Sequence, residues 1–292
     1  MKPTARWIPY FLVAPAFTIF AIAILGPIMA TFGLSLTDWN GFSTPSFVGF
    51  ENFIRAFHDK IYMNSYWHVA VYVAATLILE VVIGLLLAGL VSSKANTTFY
   101  RVAFFTPVML PLVVISVLWT FLLNPDLGIL NRLLGQLGLE SWQHIWLGDQ
   151  STALLSISVI SGWIFAGFYM AIFYAGFQRI PSTIIESARL DGATEWQLLR
   201  GIKIPMIKNL TEVAILLCFT GGIQVFDLVY VLTNGGPYDT TQVPTTYLVR
   251  VVFRDQQMGY GSALAVILTL VVVAVGLLYN KLRTKDDLVV EY

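Results

Sequence analysis

The chain has 292 residues and a formal net charge of zero, and its residues are 57% hydrophobic and only 12% charged. Soluble domains carry about 25% charged residues, so this composition argues against a soluble protein, and the balanced charge gives no support for nucleic-acid binding. A single cysteine, Cys218, excludes an intramolecular disulfide framework.

Six apolar segments follow one another along the chain, each near or above the length of about 20 residues that crosses a bilayer as a helix. We therefore expect an all-α polytopic membrane protein with six transmembrane helices. The first segment is too long for the apolar region of a signal peptide and is interpreted as a retained helix. The segments cover residues 10–36, 66–91, 103–123, 152–177, 206–232 and 261–279.

The basic residues indicate which side of the membrane the termini occupy, because cytoplasmic loops carry an excess of Lys and Arg. Six spans place both termini on one side. With cytoplasmic N- and C-termini, twelve of the 17 basic residues lie inside, Lys2, Arg6 and Lys94 among them. We therefore expect this orientation, with three external loops at 37–65, 124–151 and 234–260. The other five basic residues lie outside: Arg55, Lys60, Arg132, Arg250 and Arg254.

The stretch 183–205, "TIIESARLDGATEWQLLRGIKIP", is charged although it joins the fourth and fifth apolar segments. Thr183 with Glu186, and Thr194 with Gln197, each match the capping box that begins a helix. Gly192 can take the left-handed conformation that ends one. The pattern predicts two short helices on the cytoplasmic surface. The second helix is expected to present Trp196, Leu199 and Ile202 on one face.

This helical pair has two physical interpretations. It could be an amphipathic hairpin that merely links two spans at the membrane surface. It could instead be a docking element, because a short projecting helix suits a groove on a soluble partner.

The same stretch resembles the EAA motif of binding-protein-dependent ABC importer permeases. Ser187 stands where the motif has its first alanine, and the other motif positions are Glu186, Ala188, Asp191, Gly192, Ala193, Ile202 and Pro205. Further stretches are similar to the carbohydrate-uptake, maltose-type branch of that family. They are spread over most of the chain from the second segment onward, and read "FYRVAFFTPVMLP", "GILNRLLGQLGL", "FQRIPSTIIESARLDGA", "FDLVYVLTNGGPYDTT" and "MGYGSALA".

The resemblance implies a type I ABC importer permease fold, with residues 1–292 as a single transmembrane permease domain. It implies a six-helix core at about residues 10–282 and cytoplasmic coupling helices at 182–204. In that family the motif glutamate makes polar contacts with an ATPase, a role that we carry to Glu186. The residues that the resemblance assigns to ATPase coupling are Glu186, Ser187, Ala188, Asp191, Gly192 and Ala193.

The resemblance also implies a set of partners in the inner (cytoplasmic) membrane of a cell. They are a homologous second permease subunit, a dimer of ATP-binding subunits, an extracytoplasmic sugar-binding protein and the membrane lipid, with no nucleic acid. The chain has no GxxxxGK[ST] phosphate loop. ATP and Mg would therefore be bound by the partner ATPase subunits, and this chain would have no cofactor and no catalytic site of its own.

The expected function is import of a sugar, whether a mono-, di- or oligosaccharide or a related polyol, driven by the separate ATPase. The alternative is a secondary transporter or channel driven by an ion gradient, because six spans would allow it. Such a protein has no need for the helical pair at 183–205.

Polar residues inside the spans are candidates for function, since charges at membrane depth are costly. In the fifth segment, Glu212, Thr220, Gln224 and Asp227 fall within an arc of about 120° on a helical wheel. One face of this segment is therefore expected to be polar. Interhelical hydrogen bonding would account for such a face, and so would a sugar-binding site.

For a sugar site, Gln224 and Asp227 would bind hydroxyl groups. Trp119, Trp163 and Tyr230 would stack on sugar rings. Aromatic side chains at these positions also fit the aromatic belt at a membrane surface.

Glu80 lies in the middle of the second segment, where it fits either a transport role or helix packing. No arrangement suited to catalysis is found in the sequence. The histidines lack the spacing of metal ligands, so no metal site is expected; they are His58, His68 and His144.

Overall fold

The computed structural model describes residues 8–93 and 97–287, and most of these residues are helical. Lys2, Arg6 and Lys94, which contribute to the predicted cytoplasmic charge excess, lie outside the described residues. The chain divides into two compact units, one formed by Met1–Met63 with Leu248–Val273 and the other by Asn64–Tyr247 with Ala274–Tyr292.

The first unit begins with a long apolar helix, followed by a small hairpin and a short helix. The hairpin strands pair antiparallel, with Thr37 opposite Phe47. The Asn52 side chain donates hydrogen bonds to the carbonyls of Ser35 (3.0 Å) and Thr37 (2.9 Å), which fastens the short helix to the end of the long one. These elements are α1 (Tyr10–Ser35), β1 (Thr37–Asp38), β2 (Ser46–Phe47) and α2 (Glu51–His58).

The remaining elements include long apolar helices, short connecting helices and several π-helical segments. Helix α3 begins in the first unit and continues through the second. The elements are α3 (Lys60–Ser92), α4 (Thr97–Met109), α5 (Leu112–Leu122), α6 (Ile129–Gln136), a 3-10 turn (Glu140–Trp142), α7 (Ala153–Phe177), α8 (Ser182–Leu190), α9 (Glu195–Leu198), a π turn (Leu199–Lys203), α10 (Ile204–Met206), α11 (Lys208–Ile223), α12 (Asp227–Leu232), α13 (Pro244–Val249), a π turn (Arg250–Arg254) and α14 (Met258–Asp287).

Helix α7 is the centre of the second unit, and buried residues occur along its whole length. It packs against α3, α4 and α11, and apolar side chains of α3 and α11 join those of α7 in one buried cluster. The cluster around its second half contains Val81, Ala88, Val91, Tyr169, Met170, Phe173, Phe177, Leu199, Ile207, Ala214 and Cys218.

Glycines allow the backbones of these helices to approach closely. A Cβ atom at Gly167 would lie 1.8 Å from the carbonyl oxygen of Phe104, and one at Gly84 would lie 2.7 Å from Cβ of Tyr169. Small residues at such contacts are typical of helix packing in membranes. Helices α3 and α4 therefore contact α7 backbone to backbone, which no larger residue at these positions would permit.

Four helices in the described residues are long and apolar enough to cross a membrane, namely α1, α3, α7 and the Met258–Tyr279 part of α14. The third predicted segment is not one helix, because α4 and α5 meet at 94°. Pro111 causes this bend: it has no N–H to donate, and it disfavours helical geometry at the residue before it. If the bent pair forms one span, the count of candidate spans is five.

The prediction of a continuous fifth helix over 206–232 is wrong. Helix α11 ends at Ile223 and α12 begins at Asp227, so Gln224, Val225 and Phe226 interrupt the segment. Phe226 has φ −136° and ψ −62°, outside helical geometry. The total of six transmembrane helices therefore stays a prediction.

Replacing Gly167 by valine should destabilise the second unit, because the side chain would overlap the backbone of α4. We expect the free energy of unfolding to fall by about 1–3 kcal/mol or more, as overpacking does elsewhere. Thermal unfolding of the detergent-purified protein, followed with a thiol-reactive dye that reports exposure of Cys218, measures the change. Gly276→Ala is the control, since nothing lies within 4 Å of its added Cβ atom. Equal stability of the two variants would contradict the close contact.

Candidate functional site

The charged stretch between α7 and α11 folds as a helix, a tight turn and a second helix, as predicted. Helix α8 ends at a glycine turn in which Gly192 has φ +84°. The N–H of Gly192 donates to the carbonyl of Arg189, and that of Ala193 donates to the carbonyl of Ala188, both at 3.0 Å. This pair of bonds is the Schellman motif. Gly192 is therefore in the left-handed conformation that the sequence predicts.

The two predicted capping boxes have different outcomes. At Thr194 the box is present: the N–H of Gln197 donates to Thr194 Oγ1 at 3.3 Å, and Thr194 N–H donates to Gln197 Oε1 at 2.8 Å. At Thr183 the prediction is wrong, because α8 begins at Ser182 and Pro181 is its N-cap, without a side-chain hydrogen bond. Pro181 has ψ 130°, so the extended backbone of the proline fixes the start of the helix two residues earlier than the predicted cap implies.

Helix α8 has no buried residue. The predicted ATPase-coupling residues Glu186, Ser187, Asp191 and Gly192 are exposed, while Ala188 and Ala193 are partly buried. Leu190, at the end of the helix, is 89% exposed. The hairpin thus presents an acidic residue and large apolar side chains on a free surface.

The predicted apolar face of the second helix is only partly correct. Trp196 is 59% exposed, whereas Leu198 and Leu199 are buried. Ile202, the third predicted member of this face, is partly buried and lies in the π-helical turn Leu199–Lys203. The three residues therefore do not share one environment: Trp196 is exposed, Ile202 is partly buried and Leu199 belongs to the core cluster.

Lys203 is buried behind this hairpin. Its Nζ atom donates to Ser92 Oγ at 2.9 Å and lies 3.8 Å from Glu195 Oε2. The pKa of the Lys203 ammonium is lowered, mainly because the group is buried. The Glu195 carboxylate opposes this shift of the pKa, and the nearby Arg189 adds to it. Arg189 in turn donates to Glu195 Oε1 at 2.6 Å.

A second candidate site is a cavity of about 440 Å³ inside the second unit. Gln224 and Asp227, two of the predicted sugar-binding residues, line it together with Glu80. The other lining residues are mostly apolar or aromatic: Tyr72, Thr76, Val108, Leu112, Ser161, Phe165, Phe168, Tyr169, Leu217, Cys218, Gly221, Gly222, Val225, Phe226 and Leu228. No Lys, Arg or His is among these lining residues of the described chain.

Glu80 is the most enclosed acid of the cavity. Its Oε1 atom accepts a hydrogen bond from Ser161 Oγ at 2.7 Å, and Ser161 Oγ accepts one from Tyr72 at 2.8 Å. Cys218 Sγ lies 3.6 Å from the second carboxylate oxygen. Helices α3, α7 and α11 therefore meet at Glu80. In the sequence, only the position of Glu80 in mid-span indicates a role, and nothing there predicts these partners.

The backbone break after α11 places Gln224 and Asp227 in the cavity. The predicted polar arc assumed one continuous helix, so it fails at Gln224 and Asp227, which lie beyond the end of α11, while Glu212 and Thr220 lie within that helix. Thr220 bonds to the carbonyl of Leu216 in its own helix at 2.8 Å, and Glu212 lies 3.7 Å from Lys208. Neither Thr220 nor Glu212 lines the cavity.

The three predicted stacking residues do not line the cavity. Trp119 and Trp163 instead contact each other edge to face, with 5.6 Å between ring centroids. Tyr230 stacks on Phe226, with 5.0 Å between centroids and 20° between the ring planes. Tyr230 therefore supports a lining residue. The aromatic residues that line the cavity were not predicted as site residues from the sequence, and they are Tyr72, Phe165, Phe168, Tyr169 and Phe226.

A family model described as binding-protein-dependent transport system inner membrane component matches residues 80–285. Two similar relatives are permeases. A probable ABC transporter permease protein, YurN of Bacillus subtilis (strain 168), is 35% identical over 94% of this chain and 95% of its own length. The diacetylchitobiose uptake system permease protein NgcF of Streptomyces coelicolor (strain ATCC BAA-471 / A3(2) / M145) is 32% identical over 90% of this chain and 79% of its own length.

A similar fold is found in a solved structure of a bacterial alginate ABC transporter in complex with an alginate pentasaccharide-bound periplasmic protein. The TM-score is 0.82 at 21% identity, and the match covers 94% of this chain and 93% of the other. The folds therefore agree along nearly the whole length of both chains.

Replacing Ser161 by alanine should destabilise the second unit, because Glu80 loses a hydrogen-bond donor and Tyr72 loses its acceptor. We expect the free energy of unfolding to fall by about 1–3 kcal/mol, the cost of leaving a buried polar group unpaired. Thermal unfolding followed by tryptophan fluorescence measures this loss. Ser158→Ala is the matched control, since Ser158 is also buried but bonds only to Leu154 of its own helix. An equal or larger effect of the control would contradict the importance of the Glu80 contact.

Proposed function

Because this chain belongs to the binding-protein-dependent transport system inner membrane component family, we propose that it is the permease subunit of an ABC importer for an uncharged saccharide. The chain would provide half of the path through the inner membrane. A separate ATPase would supply the energy, and a binding protein outside the membrane would deliver the substrate.

The observation that carries this proposal is the exposed hairpin of α8 and α9. Its residues match the family's coupling motif, a Schellman turn at Gly192 ends α8, and no residue of α8 is buried. Leu190 and Trp196 are largely exposed, and exposed apolar side chains on a short projecting helix suit a groove on a soluble partner.

The coupling residues then have separate roles. Glu186 would make polar contacts with the ATPase, and Ser187 and Ala188 would allow close approach, since both are small. Asp191, Gly192 and Ala193 would form the turn that fixes the direction of α8. No nucleotide-binding loop is present in the sequence, so ATP and Mg belong to the partner subunits.

The cavity supports an uncharged polyhydroxy substrate. Gln224, Asp227 and Glu80 offer an amide and two carboxylates to hydroxyl groups, and Phe226 and the other lining aromatics offer apolar contact. No basic side chain is among the lining residues of the described chain, and the carboxylates of Glu80 and Asp227 would repel an anionic substrate. The relative NgcF, named for uptake of diacetylchitobiose, supports a saccharide.

The remaining partners follow from the family. We expect a homologous second permease subunit to close the path, and external loops to contact the extracytoplasmic sugar-binding protein. A periplasmic protein accompanies the transporter in the alginate structure, which supports that part of the proposal. Cytoplasmic termini are proposed from the charge distribution. Exposed apolar side chains of α1 suit contact with lipid.

Uptake by the reconstituted complex should depend on ATP. With the second permease, the ATPase and the binding protein in vesicles, we expect vanadate to stop saccharide accumulation and a protonophore to leave it unchanged. An ion-gradient transporter would give the opposite result. Preference for an acidic saccharide over its neutral counterpart would contradict the proposed substrate class.

The cavity is tested in the same vesicles with Asp227→Asn and Gln224→Ala. We expect uptake to fall by about tenfold, as the loss of one hydrogen bond with a charged or amide partner would cause, while ATP hydrolysis persists. Glu212→Gln is the control, a carboxylate of the same segment that lies outside the cavity. If the control lowers uptake as much as the cavity variants do, the cavity is not the substrate site.

Gly192→Val should leave membrane insertion intact and uncouple ATP hydrolysis from uptake. A β-branched residue at φ +84° costs about 1–2 kcal/mol, and the backbone would relax by turning α8 away from its docking direction. The measurement is saccharide transported per ATP hydrolysed. Gly192→Asn should be milder, since asparagine tolerates the left-handed region. A normal ratio for Gly192→Val would refute the role of this turn.

A further inference from the structure

A buried lysine joins the coupling hairpin to two long helices. Lys203 is 6% exposed, and lysine is almost never buried unless it is paired. Its Nζ atom donates to Ser92, the last residue of α3, at 2.9 Å. The same atom lies 5.6 Å from the ring centre of Phe177, the last residue of α7, and 3.8 Å from Glu195 Oε2. Lys203 therefore touches the ends of α3 and α7 and the start of α9.

The contacts continue to the coupling helix. Glu195 Oε1 accepts from Arg189 at 2.6 Å, and Arg189 lies in the last turn of α8. A continuous polar chain thus runs from Arg189 through Glu195 and Lys203 to Ser92. It connects the element proposed to dock on the ATPase with a helix that carries a cavity residue.

The two ends of this chain differ in their surroundings. The side chains of Arg189 and Glu195 are about half exposed, so solvent screens their attraction. The ammonium of Lys203 is enclosed, and a buried charge that loses its partners is strongly unfavourable. The inner contact is therefore the more rigid one, while the outer pair can adjust to a docked partner.

Apolar packing holds the same turn against α3. Leu199 is buried, and a Cβ atom at Gly89 would lie 2.8 Å from Leu199 Cδ2. The turn Leu199–Lys203 therefore fits against α3 with no free space. A displacement of the hairpin would act on the end of α3 through this turn.

We propose that Lys203 is a positioning residue for energy coupling: it fixes the hairpin to α3 and transmits the movement of α8 to the cavity-bearing helices. This proposal rests on the proposed function, since it presumes that α8 docks on an ATPase. Lys203 itself would not contact the saccharide or the ATPase.

The test uses the complete transport complex in vesicles, with saccharide uptake and ATP hydrolysis measured together. For Lys203→Met, which keeps most of the side-chain volume but removes the charge, we expect uptake per ATP to fall by about tenfold, within the range typical of coupling between sites. Lys203→Arg should keep much of the uptake per ATP of the unmodified complex, because arginine keeps the positive charge. Lys208→Met is the matched control: Lys208 is five residues away, and its side chain is 63% exposed.

Glu195→Gln supplies a second variant that does not disturb the core, because the side chain of Glu195 is 47% exposed. Glu195→Gln should also lower the amount of saccharide taken up per ATP hydrolysed. Combined with Lys203→Met it should add little, since both changes break one chain of contacts.

Unchanged uptake per ATP in Lys203→Met would overturn the inference. It would also be overturned if Lys203→Met and Lys203→Arg both failed to assemble into the complex. Loss of uptake with hydrolysis retained, and recovery in Lys203→Arg, would support it. If the unmodified complex did not take up saccharide with ATP, the proposed function itself would be overturned. Failure of the proposed function is thus distinguished from failure of the role proposed for Lys203.

Discussion

Helices α3 and α4 reach the backbone of α7 because glycine stands at the points of contact, Gly84 and Gly167 above all. In a membrane, apolar side chains gain little from leaving lipid, so close packing supplies much of the attraction between helices. The cavity lies beside α7, and the coupling hairpin follows directly from its end.

The cost of polar groups at membrane depth explains the irregular backbone of this unit. Non-helical backbone is tolerated there only where it is buried in protein or lines a cavity. The interruption between α11 and α12 meets that condition, because Gln224, Val225 and Phe226 all line the cavity. The π-helical segment Leu77–Val82 brings Glu80 to the same space, where Ser161 satisfies its carboxylate.

Helix α3 connects the two candidate sites. Its middle carries Glu80 in the cavity, and its last residue, Ser92, contacts Lys203 behind the hairpin. This helix, which includes the π-helical segment Leu77–Val82, therefore extends from the proposed substrate path to the proposed docking element. This arrangement gives a physical basis for transport by a chain that has no nucleotide-binding loop.

The sequence by itself determined the features that depend on neighbouring residues. Membrane class, the helix Ala153–Phe177, the left-handed turn at Gly192 and the capping box at Thr194 all follow from composition or from chemistry within a few positions. The similarity to importer permeases was also visible in short motifs, and the family match agrees with it.

Only the tertiary structure decided which distant residues meet. Ser161 reaches Glu80 across 81 positions, and Lys203 reaches Ser92 across 111, and no local pattern encodes such pairs. The helical wheel for Gln224 and Asp227 failed because packing interrupts the helix between them, although both residues still reach one cavity. Trp119, Trp163 and Tyr230 have the right chemistry for stacking, but the space around their rings is set by neighbouring helices rather than by their own positions in the chain.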